Sequence, residues 1–444
     1  MSAPETRWGR YRRWLRPGMG LKRWLVAVFV GEALVAFAGA LVLRQLYRDL
    51  APDDTAQAPV LWWLTLQFLP LALRPVVLVG GGVLVFAVGL WGLLRAVLAP
   101  FQQRREPLVE LIYQKRSLAR GPRVVAIGGG TGLSTLLRGL KAYTSNITAV
   151  VAVADDGGSS GRLRHELGIA PVGDIRNCIA ALADAEPVMT RLLQYRFPST
   201  PSGSDRVSGH AFGNLLIAAL SDIEGDFEEG VRQSNRVLAV RGQVVPGAAV
   251  PLTLHAELAD GSRLDGQSLI AAARGIRRVW ITPADVHATA EATEAISGAD
   301  LVVLGPGSLY TSLLPNLLIP EIRNALLATR AVRAYVANVA TQQGETEGFA
   351  LSDHLRALET HGILGAVDVV VVNDVPESRA PEGWPVAPVR IDVAAGEDRP
   401  RLVLGDVVDH RNGHHHDPDH LAAALLALLE AGALGAPAGV ARTA

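Results

Sequence analysis

A single cysteine, Cys178, stands in a chain of 444 residues. An intrachain disulfide framework and a zinc site built on cysteines are therefore excluded, and the composition suits a reducing compartment. Net charge is nearly absent too: 42 basic against 43 acidic side chains leave -1, so nothing in the overall balance points to bulk nucleic-acid binding. No repeat at solenoid spacing is visible. The familiar phosphate signatures are incomplete as well. The stretch VVAIGGGTGLSTLLRGL, Val124 to Leu140, is not followed by Gly-Lys-Ser/Thr, so it is no P-loop. Leu133 stands where a third glycine would complete G-x-G-x-x-G.

What is present in excess is hydrophobicity, 49% of residues, and the excess is local. Trp24 to Leu43 is interrupted only by Glu32, and Pro75 to Leu94 carries no charge. At about 1.5 Å rise per residue, twenty residues just cover a hydrocarbon core of roughly 30 Å. Both runs read as transmembrane helices, with Ala58 to Leu73 as an interfacial approach to the second. Arg7, Arg10, Arg12, Arg13, Arg16, Lys22 and Arg23 precede the first run, and Arg95, Arg104, Arg105 and Lys115 follow the second. The loop between holds only Arg44, Arg48 and Arg74, which puts both ends in the cytoplasm. The alternative is a signal peptide cleaved near AFAGA, Ala36 to Ala40, and it leaves the remainder on the same side. The expected organisation is a membrane hairpin over 1–95, a charged linker over 96–121 and a cytoplasmic domain over 122–444.

In that domain short β-rich runs alternate with helical patterns, the signature of βαβ units around a parallel sheet. Strands are expected at Val124–Ile127, Ile147–Ala154, Leu301–Leu304, Ala334–Asn338 and Val369–Asn373. Between Val250 and Ile281 a period-two alternation around Asp260-Gly261 predicts a small antiparallel excursion. The fold class is α/β: a Rossmann-like, doubly wound, mostly parallel sheet with an antiparallel insertion, preceded by a two-helix transmembrane hairpin. Pro198 to Gly209 is a polar loop and a candidate lid.

Gly128, Gly129, Gly130 and Gly132 leave only the Cβ of Thr131 between a strand and a helix. Bare backbone lets successive N–H groups converge on an anion, and the helix start adds its free amides and positive dipole end. The next strand runs into ADDGGSSGRLR. Asp155 lies 23 residues past Gly132, where such a unit places its ribose-binding carboxylate. Asp155 and Asp156 are alternatively Mg²⁺ ligands on a bound diphosphate, or an Asx turn. Ser159 and Ser160 add hydroxyl donors, and Arg162 and Arg164 add forks suited to phosphate. PVGDIRN sets Asp174 and Asn177 at a helix start, and GHAFGNLL sets His210 and Asn214 one turn apart. Gly305, Gly307, Ser308, Tyr310 and Thr311 repeat the pattern in LGPGSLYTSLLPN, as do Asn338, Thr341 and Gln342 in NVATQQGET. Four strand ends thus lead into glycine, hydroxyl or amide clusters, and parallel strands deliver their carboxyl ends to one edge. DHRNGHHHDPDH, by contrast, reads as a helix start at Asp417-Pro418 more than as a metal tract.

Taken in order, AIGGGTGLSTLLRGLK, VADDGGSSGRLR, GDIRN, GHAFGNLL, GPGSLYTSLLPNLL and TQQGET resemble the bacterial gluconeogenesis-factor family, within the wider 2-phospho-L-lactate transferase superfamily. The resemblance runs from about Arg123 to about Asn373, and more weakly to the C-terminal helix. It implies a Rossmann-like domain that binds UDP-sugars such as UDP-N-acetylglucosamine and supports cell-wall precursor supply and cell shape during gluconeogenic growth. Val172, Gln267, Ala340 and Gln343 depart from the family pattern, and the membrane hairpin is an addition to it. Three functions follow. One is a sensor that binds a nucleotide-sugar and regulates a protein partner in cell-wall precursor synthesis, as a monomer or homo-oligomer. Another is a Mg²⁺-dependent transferase, with Asp155 and Asp156 on the metal. A nicotinamide oxidoreductase rests on the glycine-rich turn alone. The sensor is the reading adopted, with no required cofactor beyond Mg²⁺ carried on the diphosphate.

Overall fold

A computed structural model describes residues 116–184, 186–198, 207–375, 386–393, 400–433 and 441–442, with isolated positions before 116. The chain divides into two compact units, 1–115 and 116–444. The two expected spans lie in the first, outside the described residues except at single positions. Of those, Phe29, Glu32, Ala33, Ala36, Gly39 and Ala40 in the first run and Val77, Gly80 and Trp91 in the second are helical. Among the described residues no helix is long and apolar enough to cross a membrane.

The second unit is built on β1 (Val124–Gly128), β2 (Ile147–Val151), β3 (Gln243–Pro246), β4 (Thr253–Leu258), β5 (Arg263–Asp265) and β6 (Ile276–Thr282), then β7 (Leu301–Leu304), β8 (Val332–Val336), β9 (Val369–Asn373), β10 (Arg401–Gly405) and β11 (Ala441–Arg442). Eight of them form one sheet in the order β11-β10-β9-β8-β7-β1-β2-β3, and every pairing in it is parallel. Every residue of β1, β2 and β7 is buried. Such runs suit a sheet covered on both faces. The chain builds outward from β1 to β3 on one side, then returns to β7 and builds outward on the other. β1 and β7 are therefore neighbours at the reversal, where the crevice of a doubly wound sheet opens.

The expected excursion is a three-stranded antiparallel sheet, β5-β4-β6. His255 faces Asp265 and Glu257 faces Arg263 across the hairpin, with Gly261 at φ +84° in its turn. Sequence periodicity misses β3 and β10 altogether. It also runs β2 three residues too far and starts β8 two residues late, because the flanking loops are themselves apolar.

One helix positions the site. Gly130–Leu140 places Leu133, Leu136, Leu137 and Leu140 on one buried stripe, each such burial contributing about 2 kcal/mol. It begins at Gly130, three residues before the expected Leu133. The helices Gly173–Leu182 and Pro418–Ala433 pack against it. Contact with the latter is backbone to backbone: a Cβ on Gly139 would lie 1.8 Å from the Pro418 carbonyl oxygen. Asp417 caps that last helix by accepting the amides of Asp419 and His420, as its sequence predicts.

Candidate functional site

The carboxyl ends of β1, β7 and β8 enclose a cavity of about 400 Å³. Gly129, Gly130, Thr131 and Gly132 form one wall. The residue before that helix offers no side-chain cap; Asp174 takes the Gly130 amide, and the amides that follow it face the cavity mouth, where a helix start suits an anion. Gly130 sits at φ +66°, and a Cβ there would meet nothing closer than the Ser312 hydroxyl at 3.9 Å. A side chain would therefore grow into the cavity. Gly132 has a different reason to be glycine, since its Cβ would fall 2.7 Å from the Pro306 carbonyl oxygen. Gly128 and Gly305 lie below, where the β1 and β7 loops touch.

Gly307, Ser308, Ser312, Asn338, Thr341 and Gln342 continue the lining. The loops after β7 and β8 are latched to each other. Asn338 accepts the Gly307 amide and donates Nδ2 to the Gly307 carbonyl, and the Ser308 hydroxyl donates to Gln342 Oε1 at 2.8 Å. Thr341 exchanges hydrogen bonds with Ala387, its amide donating and its hydroxyl accepting. Tyr310 and Thr311 face away from the cavity. Both are buried, and both donate their amides to the carboxyl of Glu345.

The opposite wall holds His414, His415 and His416. Sequence reasoning passed over this tract because no local pattern shows which space it would border. The buried His416 donates Nε2–H to the Ala337 carbonyl, and burial pushes its pKa down to about 4. Among the described residues no lysine or arginine lines the cavity, so amides, hydroxyls and imidazoles are what they offer an anion there.

The β2 side of the rim is wired differently. Ser159, Ser160, His210 and Asn214 are all buried. The Ser159 hydroxyl accepts from the Ala211 amide and from Asn214 Nδ2. Its own hydrogen is left for His210 Nδ1, at 3.0 Å. His210 therefore carries its proton on Nε2, and burial and the Arg162 charge hold the ring below its usual range. Asn214 Oδ1 accepts from Arg176, which also donates to Asn177. Arg164 donates to the Leu252 carbonyl and the Thr253 hydroxyl, tying its helix to β4, and Arg162 donates to the Ser208 carbonyl. Most of the candidate lid lies outside the described residues.

The two adjacent carboxylates part company. Asp156 accepts the amide and hydroxyl of Ser268 and so caps the Gln267–Ala271 helix. Asp155 Oδ1 accepts the Gly157 amide, the Asx turn that the sequence allowed. Its Oδ2 faces Gly173, beside Asp174. Asp174 accepts the Gly130 amide and fills the room that Gly129 leaves; burial first, and the Asp155 charge second, push its pKa up to about 6. Two carboxyls with unfavourable mutual charge beside an amide cradle fit a cation shared with phosphate oxygens, the usual binding mode of Mg²⁺. Among the described residues no group of three or more His, Cys, Asp or Glu could hold a metal unaided.

Residues 124–402 match the family described as 2-phospho-L-lactate transferase CofD. The gluconeogenesis factor of Bacillus subtilis (strain 168) is 44% identical over 320 residues, 70% of this chain and 100% of that protein. The chain belongs to the gluconeogenesis-factor group of the CofD family. A Nostoc sp. (strain PCC 7120) relative, which bears the same name provisionally, is 43% identical over 452 residues, 96% of this chain and 94% of its own. A Bacillus halodurans crystal structure, described as a member of the UPF0052 family, superposes with a TM-score of 0.64 at 42% identity, over 69% of this chain and 99% of that chain.

Proposed function

We propose that the cavity between β1, β7 and β8 binds a nucleotide-sugar of the UDP-N-acetylglucosamine kind by its diphosphate. In this reading the chain is a regulator that passes the bound state to a protein partner. Through that partner it adjusts cell-wall precursor supply and cell shape during gluconeogenic growth. The observation that carries the reading is the glycine-built helix start at Gly130–Gly132, opening onto a cavity at the reversal of a parallel sheet. Hydroxyls and amide side chains around it suit sugar and phosphate oxygens, and the volume falls within the range of about 300–1,000 Å³ usual for small-ligand sites. The name gluconeogenesis factor borne by its relatives supports the metabolic setting.

A second reading, a Mg²⁺-dependent transferase, draws on the Asp155–Asp174 pair beside the cradle and on the family description. Mg²⁺ would supply charge neutralisation at the diphosphate; Asp155 and Asp174 would hold it. We also propose that the runs 24–43 and 75–94 anchor the chain in the membrane with both ends cytoplasmic. Carbonate-washed membranes should retain the full-length chain, and its release by carbonate would end that part of the reading.

Calorimetry on the full-length chain in detergent separates the functions. UDP-N-acetylglucosamine, GDP and NAD are titrated with and without Mg²⁺, followed by product analysis after several hours. UDP-sugar binding without turnover supports the regulator. Product formation favours the transferase, and a preference for NAD overturns both.

A further inference from the structure

Behind the cavity wall lies a carboxyl that the lining does not include. Glu345 is 1% exposed and follows the Thr341–Gln343 wall by two residues. Its Oε1 accepts the amides of Tyr310 and Thr311, and its Oε2 accepts the Thr311 hydroxyl at 2.9 Å. Those donors open the π-helical turn Leu309–Leu313, in which the Ser312 and Leu313 amides both return to the Ser308 carbonyl. The first amides of a helical turn have no partner within it. Here no local side chain caps them, and Glu345 supplies the acceptor from 34 residues along the chain. The turn is bracketed by Ser308 and Ser312, both of which line the cavity. Single π turns are frequent at functional sites.

We infer that Glu345 is a positioning residue for the ligand: by clamping the π turn it fixes Ser308 and Ser312 at the cavity. The identity of the ligand rests on the nucleotide-sugar reading above; the clamp does not. Burial pushes the carboxyl up to about 7, yet either form can serve. The carboxylate accepts all three bonds. The neutral acid accepts both amides on one oxygen and donates its own hydrogen to the Thr311 hydroxyl, which then acts as acceptor. Place, more than charge, is what the side chain contributes.

Three variants test this in the full-length chain: Glu345→Gln, Glu345→Ala and Thr311→Val. Two readouts are used, calorimetry with UDP-N-acetylglucosamine and hydrogen exchange of the peptide spanning 308–313. Gln can accept the amides and donate to Thr311, so its Kd should stay within about threefold of wild type. Ala should raise Kd at least about tenfold at unchanged stoichiometry, with faster exchange at Tyr310 and Thr311. Thr311→Val removes one of the three bonds and should raise Kd about threefold. A purely structural Glu345 would lower the melting temperature and the bound fraction while leaving Kd alone, and that result overturns the inference. A Gln variant as weak as Ala overturns it too. If Ala fails to fold, an unchanged Kd and exchange pattern in Thr311→Val does the same. Should wild type ignore the UDP-sugar, the nucleotide-sugar reading fails by itself. Exchange then judges the clamp: faster exchange at 308–313 on disruption upholds it, and no change removes it.

Discussion

The rim of the sheet carries two loops of similar composition that end in opposite states. GGGTG after β1 opens onto a cavity, whereas the two serines of DDGGSSG after β2 are taken up in a buried hydrogen-bonded network. The first is almost pure backbone, its one side chain, Thr131, lies at the mouth, and Asp174 takes the Gly130 amide only. The second brings Ser159 and Ser160 against His210 and Asn214, with Arg176 behind Asn214, and most of their polar atoms bond one another, Arg176 Nε excepted. Asp174 sits at the seam, touching the Gly130 amide on one side and the Asp155 charge on the other. Richness in glycine and hydroxyls is therefore not in itself a binding site. What decides is whether the fold brings in side chains that use up the donors.

That contrast can be broken from the open side first. Gly130→Val at φ +66° puts a branched side chain into the cavity. It should abolish nucleotide-sugar binding, by about 100-fold or more, for a strain of only about 1–2 kcal/mol. Calorimetry paired with thermal melts reads both quantities; intact binding would place the anion elsewhere. Asn214→Ala should do the reverse. It strands Arg176 and Ser159, so unfolding free energy should fall by about 2–4 kcal/mol, while the Kd of the folded protein holds within about twofold.

Acid sharpens the comparison through two buried groups flanking the open side. His416 has its pKa lowered to about 4 from 6.5, so the folded state binds its proton less readily than the unfolded one. Its contribution is complete above 6.5 and is lost as pH falls toward 4. Glu345 runs the other way, raised from 4.5 to about 7. Its contribution is complete below 4.5 and is lost as pH rises through 7. Relative to wild type, Glu345→Gln should gain about 3 kcal/mol of stability between pH 4 and pH 8, and His416→Gln should flatten the loss between pH 6.5 and 4. Denaturant midpoints across pH measure both, and parallel curves for variants and wild type would refute the assignment. The smallest expected effect is His415→Ala. Loss of one partly exposed imidazole from a cavity whose described lining holds no lysine or arginine should weaken nucleotide-sugar binding about two- to fivefold, most visibly at low salt.

Much of the framework was legible in the residues alone. β1, β7 and β9 are near-continuous runs of branched and small apolar residues, which only a doubly covered strand needs. The β4–β5 hairpin was legible because Asp260-Gly261 dictates its turn. β3 and β10 escaped because QVVP and RLVLG are short and carry polar ends, so neither periodicity nor composition marks them. The glycine cradle was visible because missing Cβ atoms are written directly in the chain. Glu345 was visible as a residue of the rim, but its bonds to Tyr310 and Thr311, the histidine wall and the Asp155–Asp174 pairing were not. Each depends on which distant loop arrives alongside, and neighbouring residues such as Asp155 and Asp156 turn to different partners.

Gly139 ties the two walls of the cavity to one joint. The helix it belongs to presents the glycine cradle at its start, and the helix it touches begins just after the three histidines. Floor and far wall thus share a hinge pin no wider than a hydrogen atom. The match to the family model stops at residue 402, before both the histidines and their helix, although the Nostoc relative aligns with 96% of the chain. A fragment trimmed to that boundary would keep every glycine of the cradle and lose the surface opposite it, along with the neighbour that steadies it. A boundary drawn from that one match would in this molecule cut through the cavity.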